Sequence, residues 1–176
     1  IYISVMTVLN SVRQIAQTPV MAIADGATAV ISFNYGAKAY SRVRDAIRFM
    51  TQLAFGYTAL SWLLISLFPA AFIRIFNQDA AMLRAAIPSL HIYFFGFVMM
   101  AFQYSGQSTF KSLNRAGFAV FFSLLRKAFI VVPLTLVLPR VAGLGVNGVF
   151  AAEPISNLIG GLACYITMRC TVMREL

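Results

Sequence analysis

The sequence predicts an all-α, polytopic membrane helical bundle, and three observations carry that prediction. First, hydrophobic residues make up 60% of the 176 and charged residues only 11%. A soluble domain usually has about a quarter of its residues charged, and a water-soluble core of this length could not hide so much apolar surface. Second, five long apolar stretches follow one another, each long enough to cross hydrocarbon as a helix, which takes about 20 residues. Third, cations collect in alternate connections. Barrel strands would alternate polar and apolar over about ten residues, and these runs are too long and too evenly apolar for that.

The five predicted spans are residues 2–33, 49–73, 85–110, 117–138 and 146–168. The second and third contain no Asp, Glu, Lys or Arg. The first ends in "SFNYGAKAYSRVR", where Gly36 suits a left-handed helix-ending position and Tyr35 an interfacial one. "SRVRDAIRF" can then run as an amphipathic helix along the inner surface before the second span. Between the second and third spans, Asn77-Gln78-Asp79 can cap a helix start. "KSLNRAG" is a short basic turn. "PRVAGLGVNG" is a proline stop with glycines at 143, 145 and 148.

Orientation follows from the cations. Lys38, Arg42, Arg44, Arg48, Lys111, Arg115, Arg169 and Arg174 fall on one side. Arg74, Arg84 and Arg140 fall on the other. This asymmetry places the first set in the cytoplasm. The net charge of +9 is therefore a topology signal. Nucleic acid is not an expected partner, because no polar face exists to carry a basic stripe. The lipid bilayer is. No basic n-region or cleavage site marks a signal peptide, and the chain, which starts "IYISVMTVLN", reads as a segment of a longer protein.

Polar residues inside the spans need an account, since a charged group there costs about 2.5–3.5 kcal/mol on insertion scales. In the first span Asn10, Gln14, Gln17, Met21, Asp25, Thr28 and Ser32 recur at steps of three and four. At 3.6 residues per turn they share one helix face. That stripe is either an interhelical hydrogen-bond seam or the wall of a hydrated cavity. Pro19 lies within the helix and should kink it. At 1.5 Å per residue, Asp25 and Arg126 each sit ~14 Å inside the inner surface, and Glu153 ~20 Å above it. Asp25, Arg126 and Glu153 are thus expected to meet near mid-membrane, either as a buried ion pair or as a site for a proton, ion or charged substrate. Lys127 should snorkel inwards. Arg13, at ~31 Å, should be interfacial. His91 is the lone histidine and reads as packed or interfacial.

Enzymatic chemistry finds no footing. No nucleophile has a partner base, no His, Cys or acidic cluster has metal-ligand spacing, and no Gly-rich loop cradles phosphate. Cys164 and Cys170, six apart in an apolar segment, do not form a disulfide framework or metal site. Gly160-Gly161 reads as a close helix-packing point. No metal or cofactor is expected.

The segment "SFNYGAKAYSRVR" resembles the end of the second helix in the C-terminal half of multidrug and toxic compound extrusion (MATE) transporters. "IFNQDAAM", "FQYSGQSTFKSLNRAG", "LLRKAFIVVPLTLVLPRVAGLGVNGVFAAEPISN" and "GGLACY" resemble its later segments in the same order. The resemblance implies a two-lobed, twelve-helix antiporter of the plasma membrane (a bacterial inner or cell membrane), exporting organic cations or drugs against sodium ions or protons. It implies further that residues 1–176 are part of one lobe, with a missing N-terminal lobe as partner. Asn10, Gln14, Gln17, Asp25, Arg126 and Glu153 would line the substrate or ion cavity. Some family members use an acidic residue in the tenth helix. The matching span here, Ala85–Phe110, has none, which argues against a sodium site in this lobe. A lipid-linked oligosaccharide flippase of the same superfamily would want a more cationic cavity, to hold pyrophosphate. Arg126 and Lys127, balanced by Asp25 and Glu153, favour the exporter. A membrane scaffold without substrate would have the polar stripe wholly sealed.

Overall fold

A computed structural model describes residues 2–141 and 145–176. Gly143, one of the glycines read as a turn, lies outside them. Helix α1 runs from Tyr2 to Gly36 without interruption, through Pro19. Pro19 has no N–H for the Ile15 carbonyl, and the neighbouring Thr18 hydroxyl bonds back to the Gln14 carbonyl at 2.8 Å. Helix α2 is Tyr40–Leu67, α3 Pro69–Arg74, α4 Ala80–Phe94, α5 Met100–Ser112, α6 Ala116–Leu124, α7 Val132–Val137 and α8 Val146–Glu175. Among the described residues, four helical segments are long and apolar enough to cross a membrane, or five when the bent pair α4–α5 is taken as one span.

The α1–α2 turn departs from expectation in one respect. The left-handed residue is Lys38, at φ 57°, and not Gly36. The Ala39 N–H bonds the Asn34 carbonyl and the Lys38 N–H bonds that of Tyr35. Those two bonds are the Schellman pattern, which puts Lys38 at C′. Asn114, at φ 58°, repeats it after α5, with Arg115 N–H bonding Phe110 O. "SRVRDAIRF" is not a separate surface helix. It forms the first turns of α2, whose 28 residues extend ~42 Å, longer than the ~30 Å hydrocarbon core. Asp79 caps α4 through its carboxylate to the Ala81 N–H, and Asn77 accepts from the Asp79 N–H.

Two spans are irregular. The third, expected as one helix, bends by 40° at Phe95-Gly96 and a 3₁₀ turn over Phe97–Met99. Gly96 explains the position: a Cβ there would lie 2.5 Å from the Pro154 carbonyl oxygen of α8. Only a residue with no side chain lets the bend close onto that backbone. The fourth span widens to a π-helical turn over Leu125–Val131. Pro133 follows it, and its ring would clash with the carbonyl four residues back in a regular helix; π turns are a known accommodation of such a defect.

The core is arranged in layers along the spans. One cluster gathers Val5, Leu9 and Val12 of α1 with Leu90, Phe94, Phe97 and Phe150. Another gathers Ile31, Ile47, Phe110, Phe122, Cys164 and Met168. Gly106 and Gly161 let α5 and α8 approach, since a Cβ at Gly161 would meet the Met99 carbonyl oxygen at 2.6 Å and one at Gly106 the Cys164 sulfur at 2.7 Å. This agrees with the packing role read for Gly160-Gly161. Large apolar side chains face outward, among them Phe33, Phe129 and Leu67, as suits a surface whose solvent is lipid. Arg115 pairs with Glu175, so the α5–α6 turn and the C-terminal end lie together. Tyr35 and Tyr40 of the α1–α2 turn line the same small recess. The three cation-rich segments thus share one end of the bundle. Hydrogen bonding to Glu175 holds the Arg115 guanidinium above its usual pKa.

Candidate functional site

The charged side chains inside the bundle converge on one oxygen. Glu153, near the start of α8, is 7% exposed. Its Oε1 accepts from Arg13 Nη1 of α1 at 2.5 Å, from Arg126 Nη1 at 3.2 Å and from Lys127 Nζ at 3.4 Å. Arg126 and Lys127 are sequence neighbours on the π turn, yet both reach the same carboxylate. Asn157, one turn beyond Glu153 on α8, accepts a second bond from Arg126 Nη1 at 2.6 Å. The Arg126 stem lies against Gly160, where a Cβ would sit 3.2 Å from the Arg126 Cβ. On α1, the Arg13 guanidinium carbon lies 5.8 Å from the centre of the Tyr93 ring, within cation–π range. The Tyr93 hydroxyl donates to Asn10 Oδ1 at 2.7 Å. Helices α1, α4, α8 and the fourth span are therefore tied through one polar hub.

Of the residues expected to meet, Arg126 and Glu153 do, and Asp25 does not. Asp25 is exposed on α1. It lies twelve residues from Arg13, or ~18 Å along the helix, and takes part in none of the ion pairs of the described residues. The depth count set Asp25 level with Arg126, whereas the α1 residue level with the hub is Arg13; counting in from each helix end assumes upright helices that start at one level. Arg13 is not a free interfacial residue; it takes the place expected of Asp25 as the third helix's contribution. Lys127 reaches Glu153, while its side chain stays 49% exposed.

The polar stripe on α1 divides. Thr28 and Ser108 hydroxyls lie 2.7 Å apart, Ser108 donates to the Ala24 carbonyl, and Ser32 donates to the Ser112 carbonyl. That stretch is a hydrogen-bond seam with α5. Asn10 is taken up by Tyr93. Gln14 and Asp25 are exposed, and Gln17 is half-buried with its amide on the Met21 sulfur at 3.8 Å. Seam and open wall thus coexist on one helix. Both ring nitrogens of His91 contact carbonyls, Ile87 at 2.9 Å and Ser66 at 3.1 Å.

Sequence reasoning missed Arg13, Tyr93 and Asn157 as parts of the hub. Asn157 had a signal: it follows Glu153 by four residues and so shares its helix face. Arg13 and Asn10, three apart, share a face as well.

A bundle of spanning helices with a buried charged hub has the form of a membrane transporter segment, and the solved structures that it matches are transporters. A MATE transporter in the straight conformation superposes with TM-score 0.91 at 17% identity, covering 97% of this chain and 38% of that one. A multidrug resistance MATE family transporter of the MOP superfamily in the inward-facing conformation matches with TM-score 0.87 at 17% identity, over 97% and 39%. The MATE multidrug transporter DinF-BH, solved as a complex, matches with TM-score 0.84 at 27% identity, over 97% and 38%. The chain belongs to the MatE family, whose model matches residues 1–137. No curated protein matches it. The chain spans less than two-fifths of the length of these solved transporters.

Proposed function

We propose that the chain is part of the C-terminal lobe of a secondary active multidrug exporter working by alternating access, coupled to sodium ions or protons, in the plasma membrane. The observation that carries this reading is the match of 97% of the chain to a little over a third of known MATE transporters. A lobe of such a protein is a rigid body that rocks against its partner lobe around a central cavity. The Glu153 hub supplies rigidity: it locks α1, α4, the fourth span and α8 into one unit. The open part of the α1 stripe, Gln14 and Asp25, supplies a polar wall for the cavity. Asp25 has no cation beside it in the described residues, so it is free to take a proton or a cationic group. Glu153, already shared by three cations, has no room for a fourth.

The test is accumulation of ethidium in cells that express the full-length protein. The exporter reading expects accumulation to fall relative to cells carrying an empty vector. Unchanged accumulation, with the protein present in the membrane, favours a flippase or a scaffold and overturns it.

A further inference from the structure

We infer that His91 is a proton-operated clasp: as an imidazolium it ties the last turn of α2 to α4, and as a neutral ring it lets go. Acidity on that side of the membrane then sets how firmly this end of the bundle is held. The inference rests on the fold and not on the exporter reading. Helix α2 starts beside the cation-rich turns at Tyr40 and ends at Leu67, so its last turn lies at the opposite end of the bundle. There His91 of α4 places Nδ1 2.9 Å from the Ile87 carbonyl oxygen and Nε2 3.1 Å from the Ser66 carbonyl oxygen. A carbonyl oxygen only accepts. A neutral imidazole has one N–H and one lone pair, so it satisfies one contact and sets its lone pair against the other oxygen. The imidazolium has two N–H groups and donates to both.

The surroundings favour that charge. Ser66 is in the last turn of α2, whose carbonyls find no N–H within the helix. The next helix opens with Pro69, which has no N–H to offer. The carbonyl end of a helix also attracts cations. His91 is exposed, at the level where α2 ends. Among the described residues no carboxylate faces it. Residues 53–67 of α2 contain no Asp, Glu, Lys or Arg, and Tyr57 lines a recess shared with α1. On α8 the residues that share a recess with His91 are Ala151, Pro154, Ile155 and Leu158, none of which titrates, and Glu153 is taken up in the hub. On α4, Tyr93 is turned to Asn10 and Asp79 caps the distant first turn. Arg84 of α4 and Arg74 of α3 are exposed, so salt screens their repulsion. Carbonyl dipoles therefore hold the proton without a counter-ion. The clasp is present in acid and is lost as pH rises through the histidine range of about 5 to 8. It sits five residues before the bend at Gly96, so it also steadies the first arm of that broken span.

The experiment is hydrogen–deuterium exchange of the purified full-length protein at about pH 5 and about pH 8, corrected for the intrinsic pH dependence of amide exchange. Amides of residues 63–68 should be about ten-fold better protected in acid, because one charge-assisted hydrogen bond is gained there. In His91→Gln the protection should stay at the lower level at both pH values. In His91→Arg, which is always charged, it should stay high at both. Equal protection at the two pH values in the wild type would overturn the inference. A pH dependence that survives in His91→Gln would overturn it too. So would a change of the same size in residues 160–168 of α8, which would mark a global effect of pH. The wild-type comparison suffices where a variant does not fold. Dye export plays no part in the readout, so loss of the clasp leaves the exporter reading standing.

Discussion

Replacing Glu153 by Gln removes the one negative charge that three cations share. The consequence can be worked from the geometry. At an effective dielectric constant of about 20, two unit charges 4 Å apart interact by about 4 kcal/mol. Arg13, Arg126 and Lys127 all lie closer than that to Oε1. After substitution they face one another without a counter-charge. Breaking a buried pair by deleting one partner typically costs about 3–5 kcal/mol, because it strands a charge. Arg126, 8% exposed, is the one stranded most deeply, so Glu153→Gln should fall in that range. The effect should depend on Arg126. In Arg126→Met alone, Glu153 keeps Arg13 and Lys127, and the cost should be smaller. In the double variant the buried guanidinium is gone with its partner, so the two costs should not add. A double-mutant cycle on the full-length protein, followed by chemical unfolding or thermal inactivation in detergent, measures the coupling. We expect about 1–3 kcal/mol, the range for residues in one network. Additive costs would mean that Arg126 and Glu153 do not stabilise one another, and would refute the hub.

Other outcomes follow from the same structure. Asp25→Asn strands no partner, so it should leave membrane expression near normal while severely reducing efflux per inserted molecule; unchanged efflux would leave Asp25 as surface polarity. Gly96→Ala places a methyl within 2.5 Å of the Pro154 carbonyl oxygen and should cost about 1–3 kcal/mol as overpacking, read as a lowered melting temperature. Gly56→Ala, in α2 with nothing within 4 Å of the added Cβ, is the matched control and should hold or slightly raise it. Single cysteines introduced at positions 41 and 79 of a cysteine-free protein should react differently with an impermeant probe in intact cells, 79 labelled and 41 protected. Equal labelling would reverse the orientation drawn from the cations.

Much of the fold could be read from residue order, because lipid imposes strong rules. An apolar run of 20 residues has few choices in a bilayer. The Asn77–Asp79 cap and the glycine pair on α8 follow from local chemistry. The bend at Gly96 and the π turn at Leu125–Val131 were not read. Each depends on a tertiary contact or a proline defect, and an unbroken run of apolar residues looks the same with or without it. The site was half legible. Depth along a helix is linear in residue number, so Arg126 and Glu153 were paired correctly. The count assumes that every helix starts at one level and stands upright, so Asp25 was set at the hub although it lies ~18 Å along α1 from Arg13, and Arg13 was overlooked. The α1 stripe shows a second limit. Its periodicity defines one face, but only the α5 serines at 108 and 112 reveal that the lower part, Thr28 and Ser32, is sealed.

The central claim is that this chain works inside an ion-coupled exporter. Its most direct measurement is dye transport by the purified full-length protein in liposomes under an imposed sodium or proton gradient. The account predicts ethidium movement against its own gradient, which stops when an ionophore collapses the coupling ion gradient. It also predicts slower transport for Asp25→Asn at equal protein per vesicle. Dye movement that follows only its own concentration gradient, or none in vesicles shown to hold folded protein, would contradict it.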